Sequence, residues 1–186
     1  MSLQAFSSSF INKFIYLKRA FGNQPFRLLD IGAGNHSATK VKRVFPQCEY
    51  HGVDLERDYN NSEEDFKRMT AFYEMDLTQL DFSPIPDNYY DAIVMAHVIE
   101  HLHNGDAVIR GLLPKLKSGG YMYLEYPGEK STRLPSMRGS LNFKDDPTHV
   151  RVYSVQELAA LFAANQCTVL KGGTRRNGWF IARGAA

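Results

Sequence analysis

The sequence predicts an α/β fold: a doubly wound, mostly parallel sheet of seven strands that closes in a C-terminal antiparallel hairpin. Three observations predict it. Apolar, strand-like runs alternate with segments of helical periodicity along the first two thirds of the chain. Three of those runs close on an aspartate (Asp30, Asp54 and Asp76), at the strand ends where open α/β sheets bind their ligands. The last two runs, Gln166 to Leu170 and Trp179 to Arg183, stand too close together for a crossover and so pair antiparallel.

Each element has its own local reason. Phe6 to Phe21 sets Phe6, Phe10, Phe14 and Leu17 at helical spacing with Ile11 and Ile15 alongside, and Gly22 closes the helix. Phe26 to Ile31 is an apolar run broken only by Arg27, as in a strand buried on both faces. It runs through Gly32-Ala33-Gly34 into a helix from Ser37 to Phe45, and glycines there let a ligand approach bare backbone. Cys48 to Leu55 is the second strand. Ser62 then caps a short helix reaching Met69, inside a polar stretch. Ala71 to Met75 and Tyr90 to Ala96 are the third and fourth strands, separated by a loop at Pro84 and Pro86. A helix from Asp106 to Leu116 is shortened by Pro114 and stopped by Gly119-Gly120, and the fifth strand spans Tyr121 to Tyr126. Pro127 to Val150 lacks periodicity and reads as a long binding loop or lid. Ser154 and Glu157 form a capping box ahead of a helix bearing Leu158, Leu161 and Phe162, and the final hairpin runs through Gly172-Gly173 and Asn177-Gly178.

At 186 residues the chain reads as one domain, 1–186, with its N-terminal helix inside 1–22 and its substrate loop at 127–150. No apolar run nears the roughly eighteen residues of a membrane span, and the first residues show no basic flank before an apolar core. A soluble, cytoplasmic protein is the expectation. Cys48 and Cys167 lack metal-like spacing and read as two buried thiols. Residues 1–127 carry 13 Lys+Arg against 16 Asp+Glu, and residues 128–186 carry 9 against 4. The basic back third suits an anionic small molecule, although a scattered solvated surface explains the imbalance more simply. With no basic stripe interleaved with aromatics, nucleic acid is disfavoured as a substrate.

Two ligands compete for a strand, Gly-x-Gly turn and helix. A dinucleotide wants a third glycine, where this chain has Ser37, and an acid about twenty residues on, which Asp54 supplies. S-adenosylmethionine (SAM) carries no phosphate but offers an ammonium, a ribose and an adenine amine. Asp30, Asp54 and Asp76 answer these three in turn through charge-assisted hydrogen bonds. An aspartate directly ahead of a pyrophosphate would repel it.

Leu28-Leu29-Asp30-Ile31-Gly32-Ala33-Gly34-Asn35, Gly52-Val53-Asp54-Leu55, Asp76-Leu77, Tyr90 to Met95 running into His97-Val98-Ile99-Glu100-His101-Leu102, and Leu116 to Gly120 resemble the ordered motifs of class I SAM-dependent methyltransferases. The likeness spans about Phe26 to Tyr126 and, with Asp146 to Arg151, most of the chain. It is nearest the small-molecule branch related to ubiquinone-biosynthesis O-methyltransferases, whose fold is Rossmann-like. The resemblance implies SAM or its product SAH against Asp30, Gly32, Ala33, Gly34 and Asn35, with Asp54, Leu55, Asp76, Leu77, Ala96 and His97 completing the site. His36 stands where many members have a glycine, and is expected to narrow the methionine end and orient its carboxylate.

The fourth strand's end then places His97, Glu100 and His101 near the methyl group, with Glu125, Tyr126 and His149 brought in from neighbouring segments. Glu100 and His101 follow His97 by three and four residues and would share its helical face. His97, Glu100, His101 and His149 are the candidate catalytic residues, histidines being suited to proton transfer near neutral pH. His97-x-x-Glu100-His101 also resembles the Glu-x-x-Glu-His of metal-using RNA and quinone O-methyltransferases. Glu100, His101 and His149 are therefore candidate ligands for a divalent ion, the less favoured reading because His97 replaces the first acid. Lys130, Arg133, Arg138, Lys144 and Arg151 flank the long loop as candidates for holding an anionic acceptor. A methyl transfer to a small molecule at oxygen is the expected activity. An NAD-dependent oxidoreductase and a non-catalytic SAM-binding subunit are the alternatives.

Overall fold

Strand order explains where a ligand can sit. The computed structural model describes the backbone of residues 8–136, 142–174 and 177–184, and the side chains of these except 8–12, 174 and 177–180. Seven strands form one sheet: β1 (Arg27–Ile31), β2 (Glu49–Asp54), β3 (Ala71–Glu74), β4 (Tyr90–Ala96), β5 (Leu116–Pro127), β6 (Thr168–Thr174) and β7 (Asn177–Arg183), ordered β3-β2-β1-β4-β5-β7-β6. The chain winds outward from β1 through β2 to β3, then returns to lay β4 on the other side of β1. That reversal opens a crevice at the carboxyl ends of β1 and β4, the switch point where such sheets bind ligands. β7 runs antiparallel between β5 and β6.

Strand alternation sends apolar side chains to both faces. Leu28, Tyr50, Ala92 and Val94 join α1 (Ser8–Phe21) and α2 (Ser37–Val44) in one core. Leu29, Ile31, Ile93 and Met95 join α4 (Gly105–Leu112) and α5 (Val155–Ala164) in the other. Both faces are therefore covered, as a mostly parallel sheet requires. The short α3 (Glu63–Phe66) lies between β2 and β3 in the chain.

The sequence-predicted order and types of elements match, with informative departures. The helix begun at Ser62 ends at Phe66, short of Met69. Gly119-Gly120 does not simply stop a helix: α4 ends at Leu112, a 3-10 turn with Pro114 spans Leu113–Lys115, and the glycines lie inside β5. There the pairing jumps from Tyr90–Leu116 to Ala92–Tyr121, and Gly119 takes φ 70°, which its missing Cβ allows. The long 127–150 loop contains two 3-10 turns, Glu129–Arg133 and Phe143–Asp145. Gly172-Gly173 and Asn177-Gly178 fall within β6 and β7. Cys48 and Cys167 are both buried free thiols. Phe6, Arg138 and the side chains of Phe10, Ile11, Trp179 and Phe180 lie outside the described residues. No described helix is long and apolar enough to cross a membrane.

Candidate functional site

A cavity of about 840 Å³ opens at the switch point. Asp30, Gly32, Gly34, Asn35, Asp54, Leu55, Asp76, Leu77 and Ala96 line one side. His97, Glu100, His101 and His149 line the other, with Ser131, Asn142 and Phe143.

Gly32 and Gly34 are required by the protein's own packing. A Cβ on Gly32, at φ 77°, would meet Val98 Cγ2 at 2.4 Å. One on Gly34 would meet Tyr59 Cδ1 at 2.5 Å and Asp54 Oδ2 at 3.2 Å. The close approach that the sequence assigned to a ligand is thus made first by Val98 and Tyr59. It lets the Gly34 N–H donate to Asp54 Oδ2 at 2.9 Å, while the Leu55 N–H donates to Oδ1 at 2.8 Å. Burial raises the Asp54 carboxyl above its ordinary value, and the Leu55, Gly34 and Glu56 N–H groups pull it back.

Asp30 is buried, and one of its oxygens is heavily used. Ser37 Oγ donates to Oδ2 at 2.5 Å, Tyr50 Oη at 2.8 Å and Lys13 Nζ at 3.4 Å. Lys13, itself buried, reaches in from α1 and lines the cavity. The carboxylate expected to meet an ammonium from SAM thus already faces one from its own chain. Sequence reasoning missed Lys13, which no local motif marks, and gave Ser37 no contact with Asp30.

His36 departs from its expected role. At φ 56° it directs Nδ1 to Asp65 Oδ2, 2.7 Å away, and does not line the cavity. Buried Asp65 also accepts from Thr39 Oγ1 at 2.6 Å and Ser62 Oγ at 2.7 Å. Burial would raise its carboxyl, but these hydrogen bonds outweigh that and hold it well below the usual range. The Ser62-x-x-Asp65 spacing, a capping box, was the available signal. Ala33 is likewise turned into the core, where its Cβ lies against Gly52. Asp76 is exposed and caps the 3-10 turn Leu77–Gln79, accepting from the Thr78 N–H at 2.9 Å.

On the opposite side β4 ends at Ala96, and His97 takes φ 57° with its N–H on the Glu125 carbonyl at 2.8 Å. A 3-10 turn, Ile99–His101, replaces the expected helical face, and His101 Nδ1 meets Thr148 Oγ1 while His97 Nδ1 faces Glu100. His97 Nδ1 lies 3.3 Å from Glu100 Oε1, and Nε2 lies 3.8 Å from Glu125 Oε1. Both glutamates are buried, and Tyr123 Oη donates to Glu125 Oε2 at 2.7 Å. Burial would lower the imidazole's pKa, but the two carboxylates prevail and raise it to about 9. The two carboxylates thus favour the cationic form of His97 at neutral pH.

The 127–150 segment brings His149 beside Glu100 and His101. The Val150 and Arg151 N–H groups donate to the Glu100 carbonyl at 2.9 and 3.2 Å, fastening the end of the segment. Glu100, His101 and His149 offer ligand atoms within 4.8 Å of one another. Glu125 and Tyr126 are absent from the cavity lining, and Tyr126 packs against Tyr153. None of Lys130, Arg133, Lys144 and Arg151 lines the cavity, and Arg151 is engaged with Glu157 and with Asp106 at 3.1 Å.

A family profile described as a methyltransferase domain matches residues 6–171. The uncharacterized methyltransferase YcgJ of Bacillus subtilis is 27% identical over 156 residues, covering 82% of this chain and 61% of that protein. This chain thus spans about three fifths of that curated relative's length. A SAM-dependent methyltransferase from Archaeoglobus fulgidus superposes with a TM-score of 0.65 at 18% identity, covering 94% of each chain. A 1,6-didemethyltoxoflavin-N1-methyltransferase from Burkholderia thailandensis, solved with its acceptor and S-adenosylhomocysteine, gives 0.68 at 16% identity over 96% of this chain and 79% of that one.

Proposed function

The chain belongs to the methyltransferase-domain family, and on that premise we propose that it moves a methyl group from SAM to a small-molecule acceptor, at oxygen. The residues present fit the donor. Asp54 stands half-buried at a strand end with its carboxylate facing the cavity, where it would take the ribose hydroxyls. The Gly32 to Asn35 backbone would hold the methionine end, and Asp76 the adenine amine. When bound, SAM supplies a methyl group already activated on a sulfonium, so positioning is the main catalytic demand. Asp30, directly ahead of the glycine turn, opposes a pyrophosphate and disfavours the dinucleotide alternative, as does Ser37 in the third glycine's place.

The chain's own residues divide the remaining work. Glu100 and Glu125, with His97 held cationic between them, set two buried carboxyl groups beside the place a sulfonium would occupy. Because His97 already holds its proton, activation of a hydroxyl acceptor falls to Glu100, His101 and His149. Ser131, Asn142, Phe143, Asp146 and Thr148 of the 127–150 segment line the cavity on that side and favour a small acceptor over a polymer.

The Asp54–Gly34 pairing is the observation that carries this reading. Calorimetry with SAH and NAD in parallel tests it. SAH is expected to bind, and Asp54→Ala to weaken it by about 10- to 100-fold, as loss of charge-assisted hydrogen bonds entails. Tight NAD binding without SAH binding would overturn the proposal.

A further inference from the structure

On the premise of the proposed methyl transfer, we infer that the acceptor carries a primary ammonium besides its hydroxyl, and that Glu100, Asp146 and His149 hold it. His149 Nδ1 faces the Phe143 carbonyl at 2.7 Å. A carbonyl only accepts, so Nδ1 carries the proton, and in the neutral ring Nε2 is a bare lone pair. Asp146 Oδ1 accepts the Thr148 hydroxyl at 2.5 Å and the Thr148 N–H at 2.9 Å, which hold the carboxyl below its ordinary value. Its other oxygen, Oδ2, lies 3.7 Å from His149 Nε2, and the same Nε2 lies 3.9 Å from Glu100 Oε1. Lone pairs therefore face lone pairs across both gaps.

Glu100 supplies an independent observation. It is buried, it lines the cavity, and its Oε2 has no hydrogen-bond partner among the described residues. A buried carboxyl oxygen left unanswered is costly, so a ligand that donates to it is favoured. The methyl donor does not meet that need. A sulfonium has no N–H or O–H to give, and the donor's own ammonium belongs with the Gly32 to Asn35 backbone.

Spacing and polarity select an ammonium. Both gaps are too wide for a direct hydrogen bond, yet one nitrogen about 2.8 Å from each side would bridge them. The three N–H donors of a primary ammonium match the two carboxyl groups and the imidazole. A carboxylate or phosphate there would set more lone pairs against them. Among the described residues Lys13 is the only Lys or Arg on the lining, and its ammonium lies at Asp30 Oδ2. The His97 ring is held between Glu100 and Glu125. An ammonium thus replaces the anionic group that the basic back third of the sequence suits. Phe143, whose ring packs on His149 at 4.7 Å, offers an apolar surface to the carbon skeleton beside it.

Three phenols of matched shape test the class: tyramine, uncharged para-ethylphenol and para-hydroxyphenylpropionate. Each is titrated by calorimetry into the full chain, with SAH saturating and EDTA present. Tyramine should bind at least about 10-fold tighter than the other two, as a charge-assisted hydrogen bond entails. Asp146→Asn keeps an oxygen for Thr148 at a half-buried position, so it should unfold at the wild-type midpoint. It should cut the preference for tyramine about threefold and leave para-ethylphenol unchanged, whereas a merely structural role would weaken all three phenols alike. Glu100→Gln should act in the same direction, and Asp146→Asn still decides the matter if burial makes Glu100→Gln misfold. Equal affinities, tighter binding of the propionate, no binding by any of the three, or a preference that Asp146→Asn leaves intact overturns the ammonium. SAH binding with no preference for tyramine sinks the ammonium alone. A tyramine preference that Asp146→Asn lowers, in protein that fails to bind SAH, sinks the donor reading alone.

Discussion

The two walls of the cavity handle buried negative charge in opposite ways. On the β1–β2 wall three carboxylates are answered from within the chain. Asp30 has Lys13, Ser37 and Tyr50, Asp54 has two backbone N–H groups, and Asp65, behind it, has Ser62, Thr39 and His36. On the β4–β5 wall two buried glutamates share one imidazolium, and Glu100 Oε2 has no hydrogen-bond partner among the described residues. The first wall is finished before any ligand arrives, as suits a surface that must hold its shape to recognise one. The second leaves Glu100 Oε2 without a hydrogen-bond partner among the described residues, so an incoming cation or donor would complete it. Pre-organisation serves binding, and electrostatic incompleteness serves the charge that chemistry brings.

Removing the cation that finishes the first wall should have the largest effect on stability. Lys13→Met leaves Asp30 buried with two neutral donors, and breaking a buried pair in this way costs about 3 kcal/mol. Chemical denaturation should show that loss. Because an ammonium of the donor could then replace the missing one, SAM should raise the variant's melting temperature more than the wild type's. Equal SAM-induced shifts would mean that Lys13 and the donor do not share Asp30.

The second wall predicts a smaller, pH-dependent effect. His97 titrates at about 9 when folded, against an ordinary value near 6.5. A raised folded-state pKa adds stability that is complete below pH 6.5 and lost as pH rises through 9. More than a third of the ring is open to solvent, so screening reduces the contribution to about 1 kcal/mol. In metal-free protein the stability difference between wild type and His97→Gln should be flat below pH 6.5 and shrink toward pH 9. A difference that grew over that interval would place a neutral imidazole between the glutamates.

The walls also differ in how far they could be read from sequence. Asp30, Asp54 and Asp76 each close a strand, and the strands announce themselves by apolar runs, so the first wall's acids were legible. Lys13 was not, because its partner lies seventeen residues away across a helix–sheet contact. The charge on His97 depends on Glu125, which only the pairing of β4 with β5 brings near. The 3-10 turn at Ile99–His101 turned His101 toward Thr148, where helical spacing had put it beside His97. Local periodicity fixes which residues occupy an element's end. Partner identity is set by long-range packing, which single-sequence patterns do not carry.

The smallest predicted effect separates the two readings of His36. From sequence it stood at the methionine end, where losing its ring should weaken the donor. In the fold it contacts Asp65, outside the cavity lining, at a φ of 56° that glycine adopts without strain. His36→Gly therefore exchanges one solvent-exposed imidazole–carboxylate contact for relief of left-handed strain. Thr39 and Ser62 still hold Asp65. Stability should stay within about 0.5 kcal/mol of wild type, and SAH affinity by calorimetry within about twofold, a few tenths of a kcal/mol. A tenfold loss of SAH affinity at unchanged stability would return His36 to the donor, and with it the first wall would cease to be complete on its own.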